Sequence, residues 1–243
     1  MILIGQPIGG PNEISPEMAK RISWLRRRLL SWFARNGRSF PWRELGRTPY
    51  EVVVAEILLQ RTTATGVVRT YATFVECFPS WLALAQAPLE ELESALGLCG
   101  LWRRKAQAFL HLAQSIEMNG GAVPRTRTDL ERLPGIGPYT ASAVLAIVYG
   151  RAEPLLDVNM ARLLGRFLDP PDGTQAKPRR TLHAHALRLV RSKRALDVNW
   201  AALDFGALVC RPRHPICPEC PLRARCAYAR SRQPRPTSNA GVL

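Results

Sequence analysis

Apolar residues recur at three- and four-residue spacing through almost the whole of this chain, and no stretch alternates apolar with polar residues as a strand would. The pattern runs through 18–36, 50–60, 65–77, 88–97, 103–118, 139–149, 158–168, 179–192 and 198–209. Proline and glycine punctuate it where helices start and stop: Pro41 and Pro49 ahead of the second segment, Pro79, Pro88, the break from Gly120-Gly121 to Pro124, and Pro170-Pro171-Asp172-Gly173. These signals predict an all-α fold. Short links between amphipathic helices favour bundles, and the cysteines crowded near the C-terminus can brace only the part that contains them, so two helical lobes are expected. Residues 1–17 and 227–243 lack sustained periodicity and are expected to be mobile.

With 243 residues, 47% of them hydrophobic, the chain can bury a core, which excludes a disordered polypeptide. Lys and Arg number 34 against 19 Asp and Glu, a net charge of +15 that suits a polyanionic partner, nucleic acid first. No apolar run reaches about 18 residues, so no membrane span is expected. The N-terminus also lacks the basic start and apolar core of a signal peptide. The expectation is a soluble cytoplasmic protein, associated with the nucleoid if the source is prokaryotic.

Four segments can carry chemistry. In Leu133-Pro-Gly-Ile-Gly-Pro-Tyr139-Thr140, two glycines lie in a tight turn between helices. Gly135 and Gly137 can adopt positive φ and lack Cβ atoms, so backbone N–H groups and the next helix's N-terminus can approach a phosphate. A purely structural helical hairpin is the alternative. Asp157 follows Pro154-Leu-Leu and precedes a helix, as an N-cap would; that role is compatible with a catalytic one. Glu56 is the only charge in Val52-Val-Val-Ala-Glu56-Ile-Leu-Leu59. Desolvated there, it would hold its proton as a general acid must; the alternatives are a buried, satisfied Glu or a Glu on a narrow polar stripe. Asp204, a similar lone acid, is expected to be structural. Finally, Cys210, Cys217, Cys220 and Cys226 lie within 17 residues at x6, x2 and x5 spacing. In a reducing compartment this is a metal or cluster ligand set, while the spacing leaves the metal open. Arg211, Arg213, His214, Arg223 and Arg225 lie among these cysteines. Cys77 and Cys99 are expected to be small buried hydrophobes.

Together, the Leu-Pro-Gly-Ile-Gly turn, Asp157 about twenty residues later and the cysteine tail resemble the helix-hairpin-helix DNA glycosylases of the endonuclease III superfamily, over roughly residues 18–226. The resemblance implies a [4Fe–4S] cluster on Cys210, Cys217, Cys220 and Cys226. It also implies a six-helix barrel lobe over 45–150 with the hairpin at about 126–149, and a cluster-bearing helical lobe from 18–44 and 151–226, with DNA and the active site between them. Glu56 would protonate the departing base or position a water, and Asp157 would stabilise the cationic sugar of an extruded nucleotide. Strand-cleaving relatives carry a Lys where this chain has Tyr139, whose phenol forms no Schiff base, so hydrolysis without strand cleavage is expected. Gln60 matches the wedge that fills the gap left by the flipped base, and Leu101 the wedge for the opposite strand. Arg61, Trp102, Arg103, Arg104 and Lys105 are then expected at the DNA, a solvated helix start being the alternative for the basic run 103–105.

Phe40-Pro-Trp-Arg43, Thr48-Pro-Tyr50 and Ala55-Glu56-Ile-Leu-Leu-Gln-Arg-Thr-Thr-Ala64 resemble the branch holding adenine mismatch and mismatch-specific thymine/uracil glycosylases. Adenine enzymes usually have Gln-Gln-Thr and Gly-Tyr-Tyr where this chain has Gln60-Arg61-Thr62 and Gly100-Leu101-Trp102. They also add a C-terminal domain that reads 8-oxoguanine, whereas only 17 residues follow Cys226 here. Arg61-Thr62-Thr63-Ala64 and Asp157-Val-Asn159 resemble the thymine/uracil enzymes. The implied substrate is thymine or uracil opposite guanine in double-stranded DNA, attacked by a monomer. The alternatives are adenine excision from A·G or A·8-oxoG pairs and a non-catalytic DNA-binding module.

Overall fold

The computed structural model describes residues 14–44, 46–97, 99–168 and 179–232, and all regular structure in them is helical. The helices are α1 (Pro16–Asn36), α2 (Pro49–Leu59), α3 (Ala64–Cys77), α4 (Trp81–Gln86), α5 (Leu89–Ala95), α6 (Trp102–Met118), α7 (Arg127–Arg132), α8 (Pro138–Ile147), α9 (Val158–Leu168), α10 (Arg179–Val190), α11 (Ala195–Leu208) and α12 (Ala227–Ser231). None is long and apolar enough to cross a membrane among the described residues. The Pro170 to Gly173 break and most of both expected mobile ends lie outside the described residues. Two parts of those ends are ordered. Pro16 and Glu17 open α1 under a Ser15 cap, and Ala227–Ser231 form α12, with Ala227 and Ala229 buried.

The chain divides into two compact units, residues 38–155 and residues 1–37 with 156–243. In the first, α2 begins with a capping box, Thr48 accepting from Glu51 N while Glu51 bonds back to Thr48 N, and Pro49 sits at the first turn. Tyr50 and every residue of α2 from Val52 to Leu58 are buried, so this helix runs through the core instead of lying on it. It packs against α3, α6 and α8. Residues 38–44, expected with the N-terminal helix, belong to this unit: Pro41–Arg43 form a single 3-10 turn that buries Trp42 edge-on to Tyr71.

In the second unit α11 is central, touching α1, α9 and α10. Ile22, Leu25 and Leu29, spaced for one face of α1, meet Leu163, Leu164 and Phe167 of α9 and Ala201, Ala202 and Phe205 of α11 in one apolar cluster. Cys77 departs from expectation. It is exposed on the last turn of α3, past the face that buries Val67, Tyr71 and Phe74.

Candidate functional site

In the unit of residues 38–155, Glu56 is 7% exposed in the middle of α2. Burial pushes its carboxyl from 4.5 to about 7, opposed by the positive charge of Arg43. An acid so placed holds its proton near neutrality, as a general acid requires. Tyr139 is half-buried in the first turn of α8, the helix that packs on α2. Between α7 and α8 the two glycines behave differently. Gly135 has φ +79°, where a side chain would be strained, but Gly137 is extended at φ −92°, so only the first uses the positive φ open to both. A Cβ at Gly137 would meet nothing within 4 Å, so the fold leaves this backbone open to an approaching group. Gln60, which ends α2, reaches the same turn: its Nε2 donates to Gly135 O at 3.2 Å.

After Gln60 the chain turns through Arg61 at φ +54°, and before α6 it turns through Leu101 at φ +61°. Both conformations are costly for residues with a Cβ. Leu101 is 45% exposed, an apolar side chain held outward on a tight turn. Trp102 is partly buried under the guanidinium of Arg103, which lies 4.0 Å from the indole centroid, and Arg104 is exposed. Lys105 overturns the expectation of a DNA-backbone contact. It is 4% exposed, and its Nζ donates to Leu58 O at 2.7 Å and Thr62 Oγ1 at 2.6 Å, with Cys99 Sγ at 3.3 Å. Helical phase explains this: Lys105 lies beside Ala106 and one turn before Phe109, on the face of α6 that enters the core.

In the other unit Asp157 caps α9. Its main-chain carbonyl accepts from Ala161 N at 2.9 Å, and its Oδ1 accepts from Asn159 N and Met160 N, each at 2.8 Å. Oδ2 accepts from Asn159 Nδ2 at 2.6 Å. Burial raises the Asp157 carboxyl, while these three donors and the charge of Arg162 favour the ionised form. Arg162 did not stand out in the sequence. Its Nη2 donates to Asn159 Oδ1 and Gly206 O, both at 2.7 Å, and its Nε to Cys210 O at 2.8 Å. A Cβ on Gly206 would come within 2.7 Å of Asn159 Cβ, so only glycine lets α11 approach this close to the start of α9. The i, i+3 spacing of Asn159 and Arg162 was the available signal. Asp204 is fully buried in α11.

Cys210, Cys217, Cys220 and Cys226 line one pocket, walled by Leu163, Phe167, Phe205 and Leu222. Burial pushes the Cys220 thiol up to about 11 and raises that of Cys226, and the other cysteines add to both shifts. Four thiolates cannot share such a cavity without a positive centre to balance them. Among the described residues, no group of three or more His, Cys, Asp or Glu side chains is placed to hold a metal ion. Charge divides unevenly between the units. Residues 1–37 and 156–243 hold 22 Lys and Arg against 8 acids, a net +14, whereas residues 38–155 hold 12 against 11, a net +1.

Residues 54–185 match the family model described as HhH-GPD superfamily base excision DNA repair protein. The chain is 37% identical over 217 residues to a thymine-DNA glycosylase of Aeropyrum pernix, covering 86% of this chain and 95% of that one. It is 35% identical over 211 residues to the human adenine DNA glycosylase, covering 82% of this chain but 38% of the human protein. The solved structure of a thermostable thymine-DNA glycosylase superposes with a TM-score of 0.82 at 30% identity, covering 87% of this chain and 98% of that one. With the hairpin, both carboxyls and the cysteine cavity in place on an all-helical fold of that kind, the chain belongs to the HhH-GPD superfamily of base excision DNA repair proteins.

Proposed function

We propose that the protein is a monofunctional DNA glycosylase that hydrolyses the N-glycosidic bond of thymine or uracil mispaired with guanine, acting as a monomer on double-stranded DNA. The observation that carries the reading is Glu56, buried in α2 and held up to about 7; in the other unit Asp157, raised by burial, is ringed by three hydrogen-bond donors. Glu56 protonates the departing base as the bond to C1′ breaks. Asp157 stabilises the resulting sugar cation, water attacks C1′ and its surplus proton restores the Glu56 acid, and the products are the free base and an intact strand with an abasic site. Tyr139 offers no amine, so water is the nucleophile. Gln60 and Leu101 fill the space the extruded nucleotide leaves, and the open backbone at Gly137 with the start of α8 receives a strand phosphate. Cys210, Cys217, Cys220 and Cys226, which line one pocket, would hold a [4Fe–4S] cluster, whose iron would balance the four thiolates and supply a structural cross-link.

Arg61-Thr62-Thr63-Ala64 and the match to thymine-DNA glycosylases support the pyrimidine substrate, while the 35% identity to the human adenine DNA glycosylase keeps adenine as a second reading. Single-turnover base release from matched duplexes carrying T·G, U·G, A·G, A·8-oxoG or normal pairs separates them. Release of thymine or uracil opposite guanine is expected. Adenine release would move the protein to the other branch, and no release from any duplex would leave only DNA binding.

A further inference from the structure

Lys105 is a buried cation that the excision chemistry proposed above leaves unused. Its three acceptors come from three places. Leu58 O belongs to the last turn of α2, whose carbonyls form the negative end of the helix dipole and lack partners within the helix. Thr62 Oγ1 lies in the loop that follows α2, and Cys99 Sγ in the turn that precedes α6. The two loops also touch directly: a Cβ on Gly100 would lie 3.6 Å from Thr62 Oγ1. Each holds a non-glycine residue at positive φ, Arg61 and Leu101, and among the described residues only His214 shares that conformation. A buried ammonium with neutral acceptors is expensive to retain, and an apolar residue would fill the site at lower cost if packing were its whole purpose.

We propose that Lys105 is a positioning residue that locks the 60–62 loop to the 99–101 loop, so that Gln60 and Leu101 enter the duplex as one rigid wedge. The inference rests on the DNA glycosylase reading for what the wedge does, but the lock itself is a property of the free protein. All three Nζ donors are used within the two loops and the end of α2, so removing the amine frees both loops together. Gln60, also bonded to Gly135 O, would then be held from the hairpin side alone.

The test uses the full chain with Lys105→Met, and with Thr62→Val as a milder variant that keeps the cation on Leu58 O. Uracil is presented either opposite guanine in a continuous duplex or inside an unpaired loop of several nucleotides, where no stacked neighbours resist extrusion. Lys105→Met is expected to slow release from the duplex at least about tenfold but from the unpaired loop by less than about threefold, with Thr62→Val following in the same direction by a smaller factor. Hydrogen exchange on the DNA-free protein should show the amides of 59–63 and 99–101 losing protection together while those of α6 around Phe109 do not change. Equal losses on both substrates would assign Lys105 to general stability, and unaltered protection of the two loops would overturn the lock. If the wild-type protein releases no base from either substrate, the glycosylase reading fails, and the exchange measurement still decides the lock. Should Lys105→Met not fold, Thr62→Val carries the same comparison.

Discussion

Glu56 is held in its acid form by burial, and that has a consequence for stability as well as for rate. Its carboxyl is raised from 4.5 to about 7, so the folded state keeps a proton that the unfolded chain has released. The stability associated with this group is therefore present below about pH 4.5, declines as pH climbs to 7, and above that leaves a cost of roughly 3 kcal/mol. Glu56→Gln should slow base release by about 10² to 10⁴ while raising the melting temperature above pH 7, and it should flatten the dependence of melting on pH. A melting temperature that responds to pH as in the wild type would contradict the buried acid. The lone carboxylate in an apolar run was legible in the sequence because nothing nearby could solvate it. Lys105 was not legible. Its partners, Leu58, Thr62 and Cys99, are brought to it by the packing of α6 on α2, and a basic triplet in sequence does not show which of its members faces inward.

The helical hairpin separates two uses of glycine. Gly135 occupies the left-handed region, so Gly135→Ala should destabilise the protein by about 1–2 kcal/mol and weaken DNA binding as well. Gly137 is extended with open space around it, so Gly137→Val should leave the stability within about 1 kcal/mol of wild type yet weaken DNA binding, because the Cβ intrudes only on a bound phosphate. Parallel melting and binding titrations check the pair, and unweakened binding by Gly137→Val would remove the hairpin from the interface. The cysteine loop is tied to α9 by the Arg162 bond to Cys210 O, and the same guanidinium holds Asn159 against Asp157. Cys217→Ser should therefore lose bound iron, measured by metal analysis, and lower the melting temperature; iron-free wild-type protein would contradict the cluster. Long helices such as α1, α6 and α9 were legible from apolar spacing, since each buries one face. At six residues, α4 is too short to display a period, and the link from Asp157 to Cys210 joins residues about fifty positions apart.

At the scale of the whole molecule, charge and chemistry are distributed differently. The unit with a net charge of +1 holds Glu56, the hairpin and the loops of Gln60 and Leu101, whereas the unit with +14 holds Asp157 and the cysteine pocket. Sequence composition showed the surplus but not its location, which depends on how α1 returns to join residues after 155. DNA affinity should fall steeply with salt, and replacing both Arg211 and Arg213, exposed on the cysteine loop, with alanine should reduce the slope of log K against log salt by about 2. An unchanged slope would take that loop away from the phosphates. The central claim is that this fold removes a base by hydrolysis directed by Asp157 and leaves the strand whole. The most direct measurement follows free base and strand integrity together in single-turnover reactions on a U·G duplex, with borohydride present in a parallel sample and Asp157→Asn alongside. Hydrolysis directed by Asp157 should give free uracil, a strand that breaks only on alkaline treatment, no protein–DNA adduct trapped by borohydride, and release reduced at least about a hundredfold in the variant. A trapped adduct, or release that survives Asp157→Asn, would contradict it.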